Sequence, residues 1–317
     1  MFTNKNNINN SLKLWLLTMF LLIISMIVVG GLTRLTDSGL SITSWELFSG
    51  LLPPITTNEW NFYFSEYKKI PEYQYINSNM TLNEFKTIFY WEYGHRLLAR
   101  IVGLVSIIPI IYLIFKYKVS AFYFKKYYLI FLLICFQGFL GWFMVSSGLV
   151  ENTDVSHYRL ALHLSLALII LLIILWDIFV IYNIEKFYSK ISKPLIFSLF
   201  FFIFFQIILG AFLAGLNGGL IYNTWPDMNG FFYPNDVLIL DYLSINSFNN
   251  PSIIQFYHRV TGYLILLFLF FLNYSFLKRK LEIKFIAFFN VAIFLQIFLG
   301  ILVLISGVEI KLASLHQ

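Results

Sequence analysis

Four histidines occupy equivalent places in two halves of the sequence. His95 and His258 are each directly followed by an arginine, and His163 and His316 end the similar runs RLALH and KLASLH. All four lie in or beside long apolar segments, where a polar side chain is costly and is by default functional. Each half therefore presents two imidazoles, from different helices, to a bound ligand.

Two imidazoles suit heme iron better than a lone metal ion. A single metal ion normally takes three or four protein ligands, whereas heme iron needs only two axial ligands because the porphyrin supplies four nitrogens. The phenylalanine-rich helices suit a flat apolar ring. We expect His95 and His163 to bind one heme iron and His258 and His316 another. A single membrane histidine is often only a packing residue, but four in duplicated register argue against that alternative.

Arginines accompany these histidines. Guanidinium groups at a membrane edge can pair with heme propionates in bidentate fashion, which predicts that role for Arg96, Arg100 and Arg159 in the first half and for Arg259 in the second. The alternative is that they are ordinary snorkelling anchors at helix ends. His157 has no partner in the other half, and we expect it to be a solvated loop residue.

Glu92 is the chemically distinctive residue of the first half. It lies three residues before His95 and hence on the same helical face, whereas the second half has Gln255 three residues before His258. One half thus carries a potential acid, base or nucleophile, and the other a neutral amide. This asymmetry indicates that one heme is acted upon while the other is retained. The alternative is a carboxylate that merely favours a helix N-terminus.

The elements that position these residues are membrane helices. The 317 residues are 59% hydrophobic and 12% charged, about half the charge of a soluble domain, so a soluble globule is excluded. The single cysteine, Cys135, excludes an intrachain disulfide and a thiolate metal cluster. Apolar runs long enough to span a bilayer predict seven helices, at about 12–32, 95–115, 127–148, 158–182, 195–217, 257–277 and 286–306.

The distribution of charge predicts the orientation of these helices. One set of loops contains 13 of the 22 basic residues, and the opposite set contains 13 of the 16 acidic residues. Because lysine and arginine mark the cytoplasmic side, we expect the N-terminus inside and the long loops 33–94 and 218–255 outside. The four histidines then lie toward the outer face. The net charge of +6 reflects this topology and indicates no nucleic-acid partner.

An internal repeat predicts the architecture, an all-α protein of two tandem four-helix bundles. Six positions of the first half recur at a constant offset of 180, namely Gly30, Gly39, Leu40, Trp45, Gly50 and Pro54. We expect a substrate-heme half at 1–185 and a cofactor-heme half at 186–317. Eight helices are expected and seven are complete, since no helix follows His316. We interpret this as truncation.

The sequence resembles the heme A synthases along its whole length. The resemblance rests on EYGHRLLAR from Glu92 to Arg100, GGLTRLTDSGLS from Gly30, and WPDMNG from Trp225. It is closest to the branch shared by proteobacteria and mitochondria, because the cysteine pairs that other members have in their outer loops are absent.

The resemblance implies an oxidoreductase that converts the C8 methyl group of heme O to a formyl group, giving heme A for cytochrome oxidase. It implies heme b as cofactor between His258 and His316, and substrate heme O between His95 and His163 with Glu92 as the catalytic carboxylate. It also implies a bacterial inner-membrane location, an upstream heme O synthase and an electron donor as partners, and possible oligomers.

Two other functions remain open on the residues alone. A diheme membrane cytochrome b would pass electrons to quinone without altering a porphyrin, but such proteins usually place their hemes near opposite faces. A duplicated transporter would have acidic or broken helices at the midplane, whereas Asp177 is the one charged residue of the predicted spans and lies near a cytoplasmic end.

Overall fold

The computed structural model describes residues 2–45, 49–118, 120, 124–150, 152–183, 192–279 and 283–317, excluding the side chains of 2–6, 49 and 283–285. These residues contain no β-strand. Their α-helices are α1 (Phe2–Leu35), α2 (Thr57–Tyr67), α3 (Pro71–Tyr75), α4 (Leu82–Tyr117), α5 (Lys125–Val145), α6 (His157–Ile181), α7 (Lys193–Gly215), α8 (Pro251–Lys278), α9 (Ile283–Ile305) and α10 (Ile310–His316). Seven are long and apolar enough to cross a membrane, which confirms an all-α polytopic membrane protein.

The chain divides into two compact units, Met1–Glu185 and Lys186–Gln317. In the first unit α1, α4, α5 and α6 form a closed bundle, because each helix packs against two of the others. Its core is built of fully buried aliphatic side chains such as Leu16, Ile110 and Ile174. The buried Asp177 of α6 accepts a hydrogen bond from Lys126 of α5 at 2.9 Å. Its charge is therefore paired, and the ion pair connects α5 with α6.

The second unit contains α7 to α10, with α8 packed against α7 and α9, and α9 against α10. Leu199, Ile265 and Leu269 lie in its core. Asn273 of α8 and Asn290 of α9 exchange two amide hydrogen bonds, of 3.0 and 2.8 Å. The predicted boundary between residues 185 and 186 lies outside the described residues, as do Glu46, Glu151, Lys186, Lys190, Lys280 and Glu282 among the charges used for orientation.

The prediction that the second span begins at His95 is wrong. Helix α4 begins at Leu82, thirteen residues earlier, because Thr81 and Glu84 form a reciprocal capping box at its N-terminus. Phe85 and Phe89 on these extra turns are buried. Protein contacts therefore stabilise the start of the helix, and hydropathy alone could not locate it.

The extra turns of α4 pack against an outer layer that consists of α2 and α3. Trp60 and Phe64 of α2 are buried there, and their rings lie 5.1 and 5.0 Å from those of Phe89 and Phe85 respectively. Glu92 lies within α4 together with Arg96 and Arg100, and the two arginines fall inside the predicted span 95–115 as well, so the expectation that Asp177 is the one charged residue of the spans is also wrong.

Two further helix starts differ from the prediction. Helix α8 begins at Pro251, not near 257, because the Asn250 side chain accepts hydrogen bonds from the next turn. His258 therefore lies two turns into the helix. His157 is the first residue of α6 and is half-buried, with its ring centroid 4.1 Å from that of Tyr158. It is not a solvated loop residue, because the helix begins one residue earlier than its apolar pattern indicates and the His157 ring packs on Tyr158.

Candidate functional site

All four predicted ligand histidines pack against a glycine of a neighbouring helix. A methyl group at these glycines would lie 3.1 Å from the His95 ring at Gly30, 3.1 Å from His163 at Gly141, 3.4 Å from His258 at Gly210 and 2.7 Å from His316 at Gly300. The distances at Gly30 and Gly141 are shorter than ordinary van der Waals contacts, the distance at Gly210 is an ordinary contact, and the distance at Gly300 is a clash. The rings of His95, His163 and His316 thus occupy space that a glycine leaves open, and His258 packs directly beside Gly210.

The structure brings the histidines together in pairs, one pair in each unit. The ring centroids of His258 and His316 lie 6.5 Å apart, with planes at 83°. Because a metal–imidazole bond is about 2 Å long, this spacing is close to that of two rings on opposite sides of one metal atom. In the first unit, His163 lies within electrostatic range of His95.

Glutamines hold three of the four histidines from the preceding helix. The Gln137 amide nitrogen lies 3.2 Å from His163 Nδ1 and donates to the His163 carbonyl at 2.9 Å. Gln206 Nε2 lies 3.1 Å from His258 Nε2. The carbonyl of Gln296 lies 3.0 Å from His316 Nδ1, and the Gln296 side chain donates to the His316 carbonyl.

The repeat identifies two of these glutamines, since Gln137 and Gln296 are equivalent, but it does not identify Gln206. Its equivalent at the offset of 180 is a methionine. The signal that could have found it is a lone amide inside the apolar span of α7, where polar groups are costly.

The donor set of the second unit fits heme. His258 Nδ1 is buried and makes no hydrogen bond among the described residues, so one ring nitrogen is available to a ligand. Within the same described ranges, no three His, Cys, Asp or Glu side chains are placed to hold a metal ion. Two imidazoles without a third donor suit an iron whose remaining ligands come from a porphyrin.

Glu92 is buried, at 3% exposure, and both of its carboxylate oxygens are hydrogen-bonded. Oε2 accepts from the Ser41 hydroxyl at 2.7 Å and from the Ile42 amide at 2.8 Å. Oε1 accepts from Arg96, with distances of 3.0 and 2.7 Å to Nε and Nη2. The carboxylate lies ten residues after the start of α4, so the alternative of a helix N-terminal carboxylate is wrong.

Arg96 and Arg259 make equivalent contacts in the two units. Arg96 donates to the carbonyls of Ile42 and Ser44 at 2.8 and 2.9 Å. Arg259 donates to the carbonyl of Tyr222 at 3.0 Å, and Tyr222 is the repeat equivalent of Ile42. Each arginine therefore ties the segment after the first helix of its unit to the helix that carries its histidine.

The two units differ at the group beside this arginine. In the second unit the Gln255 amide donates to the Tyr222 carbonyl at 3.0 Å. Gln255 Oε1 and Arg259 Nε are buried and have no hydrogen-bond partner in the described part of the chain. The corresponding atoms of the first unit bond each other, as the Glu92–Arg96 ion pair. The predicted asymmetry is therefore also a difference in charge pairing.

The other two predicted arginines lie elsewhere around the first site. Arg159 donates to the Phe143 carbonyl at 2.6 Å, and its guanidinium lies 3.8 Å from the centre of the Phe143 ring. It thus satisfies the C-terminal end of α5. Arg100 lies one turn beyond Arg96, and both line a pocket with Tyr63, Phe89 and Tyr93.

A second buried carboxyl lies in the outer layer, and sequence reasoning missed it. Glu72 of α3 accepts a hydrogen bond from the fully buried Tyr67 hydroxyl at 3.2 Å, and Asn77 donates to that hydroxyl at 2.8 Å. Burial, together with the negative charges of Asp37, Glu92 and Asp154, raises the pKa of Glu72 to about 8 although the hydrogen bond from Tyr67 lowers it. The signal available in the sequence was a glutamate between apolar residues at the start of a short helix.

Comparison with known proteins agrees with this geometry. The model of a family described as "Cytochrome oxidase assembly protein" matches residues 13–317. The chain is 60% identical to the heme A synthase of Pelagibacter ubique, over all of this chain and 94% of that one. It is 41% identical to that of Rickettsia bellii, with 97% and 93% covered, and 40% identical to that of Flavobacterium johnsoniae, with 98% and 93% covered. The chain therefore belongs to the cytochrome oxidase assembly family that includes the heme A synthases.

Proposed function

We propose that this chain synthesises heme A by oxidising a methyl group of heme O to a formyl group. The family and the heme A synthase relatives support heme A synthesis. The observation that carries the proposal is the buried Glu92 carboxylate, which lies one helical turn from a histidine in one unit and is replaced by an amide in the other. A chain that only transferred electrons would have no evident use for that difference.

The first unit is proposed to bind the substrate and the second the cofactor. His95 and His163 would be the axial ligands of heme O, and His258 and His316 those of heme b. The ring spacing of His258 and His316 supports the second pair, and the electrostatic interaction of His163 with His95 supports the first. Held by His258 and His316, heme b would supply one-electron transfer.

The overall change at the substrate is R–CH₃ + H₂O → R–CHO + 4 H⁺ + 4 e⁻. It is a two-step oxidation through an alcohol and a gem-diol that loses water. Glu92 is proposed to accept a proton from the activated methyl carbon or to stabilise positive charge there. Arg96 holds Glu92 Oε1, and Ser41 and Ile42 hold Oε2, so the carboxylate is fixed before the substrate binds.

The cellular setting follows from the same proposal. The chain would lie in the bacterial inner membrane with its N-terminus in the cytoplasm and its histidines toward the outer face. It would receive heme O from a heme O synthase. The oxidation as written releases four electrons, so the redox partner that takes them would be an electron acceptor and not the electron donor that the resemblance implies. Arg96, Arg100, Arg159 and Arg259 would interact with the propionates at the membrane edge.

Heme extraction tests the function directly. Cells that make heme O but lack heme A synthesis would be grown with and without this chain, and their hemes separated by chromatography and assayed as pyridine hemochromes. We expect heme A to form only with the chain. If heme O persists while the purified chain carries two tightly held hemes, the diheme cytochrome is the correct function.

A further inference from the structure

The four histidines differ in one contact from the preceding helix. His163, His258 and His316 each interact with a glutamine, namely Gln137, Gln206 and Gln296 respectively. In the second unit both rings have a hydrogen-bonded nitrogen, His258 beside the Gln206 side chain and His316 beside the Gln296 backbone carbonyl. In the first unit the glutamine is found for His163 alone, and the His95 ring makes no hydrogen bond among the described residues.

Met26 is the repeat equivalent of Gln206. Gly210, four residues after Gln206, packs against His258, and Gly30, four residues after Met26, packs against His95. The two helices thus present the same register to the two histidines. With iron on Nδ1, the second ring nitrogen of His258, Nε2, would carry a hydrogen and donate it, and the Gln206 amide beside it can present Oε1, which is buried and unbonded within the described residues. Methionine is only a weak acceptor, so position 26 offers His95 no comparable partner.

Hydrogen bonds to the second nitrogen of a metal-bound histidine fix the tautomer and the orientation of the ring. Their loss typically reduces metal affinity about 10- to 100-fold. A substrate site must release its product after each turnover, whereas a cofactor site must not. The distribution of hydrogen-bonded ring nitrogens follows this requirement, since both proposed cofactor ligands have one and the proposed substrate ligand His95 has none among the described residues.

Resting on the proposed heme sites, we propose that Gln206 is a positioning residue that retains the heme of the second unit. Met26 correspondingly leaves His95 without such a hydrogen bond, so the first unit binds its heme less firmly and can exchange it. The heme lifetime of each site is thus set by one residue at equivalent positions of α1 and α7.

Exchange of the two side chains tests this proposal in the full-length chain. Each site is studied in a parent protein that lacks a ligand of the other site. His95→Ala leaves the second site intact, and His258→Ala leaves the first. Both parent proteins are loaded with heme b. Transfer of heme to excess apomyoglobin gives the rate of heme loss. We expect Gln206→Met to accelerate loss from the second site about 10- to 100-fold and to shift its low-spin EPR signal, and Met26→Gln to slow loss from the first by a similar factor.

Asn273→Leu is the matched control. It removes an amide pair between α8 and α9 of the same unit but touches no histidine, and it is expected to leave the EPR signal and the rate of heme loss unchanged. An equal acceleration by Asn273→Leu, or an unaltered rate and signal in Gln206→Met, would overturn the role of Gln206. An unaltered rate in Met26→Gln would overturn the role of Met26.

The parent proteins separate this inference from the proposed function. If His95→Ala binds no heme with a bis-histidine low-spin signal, the assignment of His258 and His316 as ligands is wrong. If the parent binds that heme and the glutamine variant behaves like it, only the positioning role is wrong.

Discussion

At the scale of single residues, Glu92 combines a structural and a chemical role. It pairs with Arg96 and anchors the segment Ser41–Ile42, so its removal would leave a charge without its partner, which typically costs 3–5 kcal/mol. The second unit shows how the same chain accommodates an amide at this place, since Gln255 and Arg259 both bond the Tyr222 carbonyl. Glutamine is therefore the substitution that removes the carboxylate and keeps a known packing arrangement.

We expect Glu92→Gln to bind heme at both sites and to convert heme O to heme A at least about 100-fold more slowly, the usual loss when a general acid or base is removed. The two quantities are measured on the same preparation, as heme per protein and as the heme A fraction of the extracted heme. An intermediate alcohol of heme O retained on the protein would agree with a block between the two oxidation steps.

Glu66→Gln is the control for this substitution. Glu66 forms an exposed ion pair with Lys69 at 2.5 Å in the outer layer, and such pairs contribute little to stability. Its removal is expected to leave conversion unchanged. A Glu92→Gln protein that produces heme A at the wild-type rate would show that the carboxylate has no part in the chemistry.

At the scale of helices, glycines decide how close the histidines come to their neighbours. Gly138 and Gly141 lie one turn apart on α5, but only Gly141 faces His163, where a methyl group would lie 3.1 Å from the ring. A methyl group at Gly138 meets no atom within 4 Å. The two positions therefore form a matched pair on one helix.

We expect Gly141→Ala to displace His163 and to reduce conversion of heme O about 10-fold or more, as for other changes in how a metal-binding histidine is held. Gly138→Ala is expected to keep full activity and to stabilise the helix by up to about 1 kcal/mol, because alanine is the better helix former. Heme extraction and thermal unfolding measure the two effects. Equal activity of the two variants would contradict the close packing of His163.

The stability of the outer layer formed by α2 and α3 is expected to depend on pH. Since burial raises the pKa of Glu72 from 4.5 to about 8, the carboxyl is protonated in the folded layer and ionised in the unfolded chain between these values. Folding then takes up a proton, so the stability of the layer falls as pH rises through this window. We expect hydrogen-exchange protection factors of α2 and α3 to fall from pH 5 to pH 9 in the wild type.

Glu72→Gln is expected to remove most of that slope and to protect the layer better than the wild type at pH 8. An exposed carboxyl such as Glu66 provides the comparison, since its glutamine variant should keep the wild-type slope. If protection rises with pH in the wild type, the buried carboxyl is ionised in the folded state and its pKa is not raised.

What the sequence could predict at this scale depends on whether the signal is local. The spans, the repeat and the four histidines follow from hydropathy and from a fixed offset, both of which can be counted along the chain. The start of α4 at Leu82 could not be predicted this way, because its extra turns are buried by α2. The bonds of Glu92 to Ser41 and Ile42 join residues fifty positions apart, and no periodicity encodes them.

At the scale of the whole molecule, duplication has given two units with the same scaffold and different detail. Each unit has its own core and its own pair of histidines packed against glycines. Beside the histidines the units differ at two pairs of equivalent positions, Glu92 against Gln255 and Met26 against Gln206. These differences are what the proposed division requires, with a reacting heme in one unit and a permanent heme in the other.

Independent units predict independent loss of the two hemes. His258→Ala and His316→Ala are each expected to lose the heme b signal and all conversion while the first unit still binds heme O added in detergent. His95→Ala and His163→Ala are expected to keep the heme b spectrum and to lose conversion, because their substrate heme is no longer held on both sides. Absorption spectra and heme chromatography of the four purified variants measure both sites at once. Loss of heme b in the His95→Ala and His163→Ala proteins would show that the units do not bind heme separately, and the assignment of substrate and cofactor to different units would then fail.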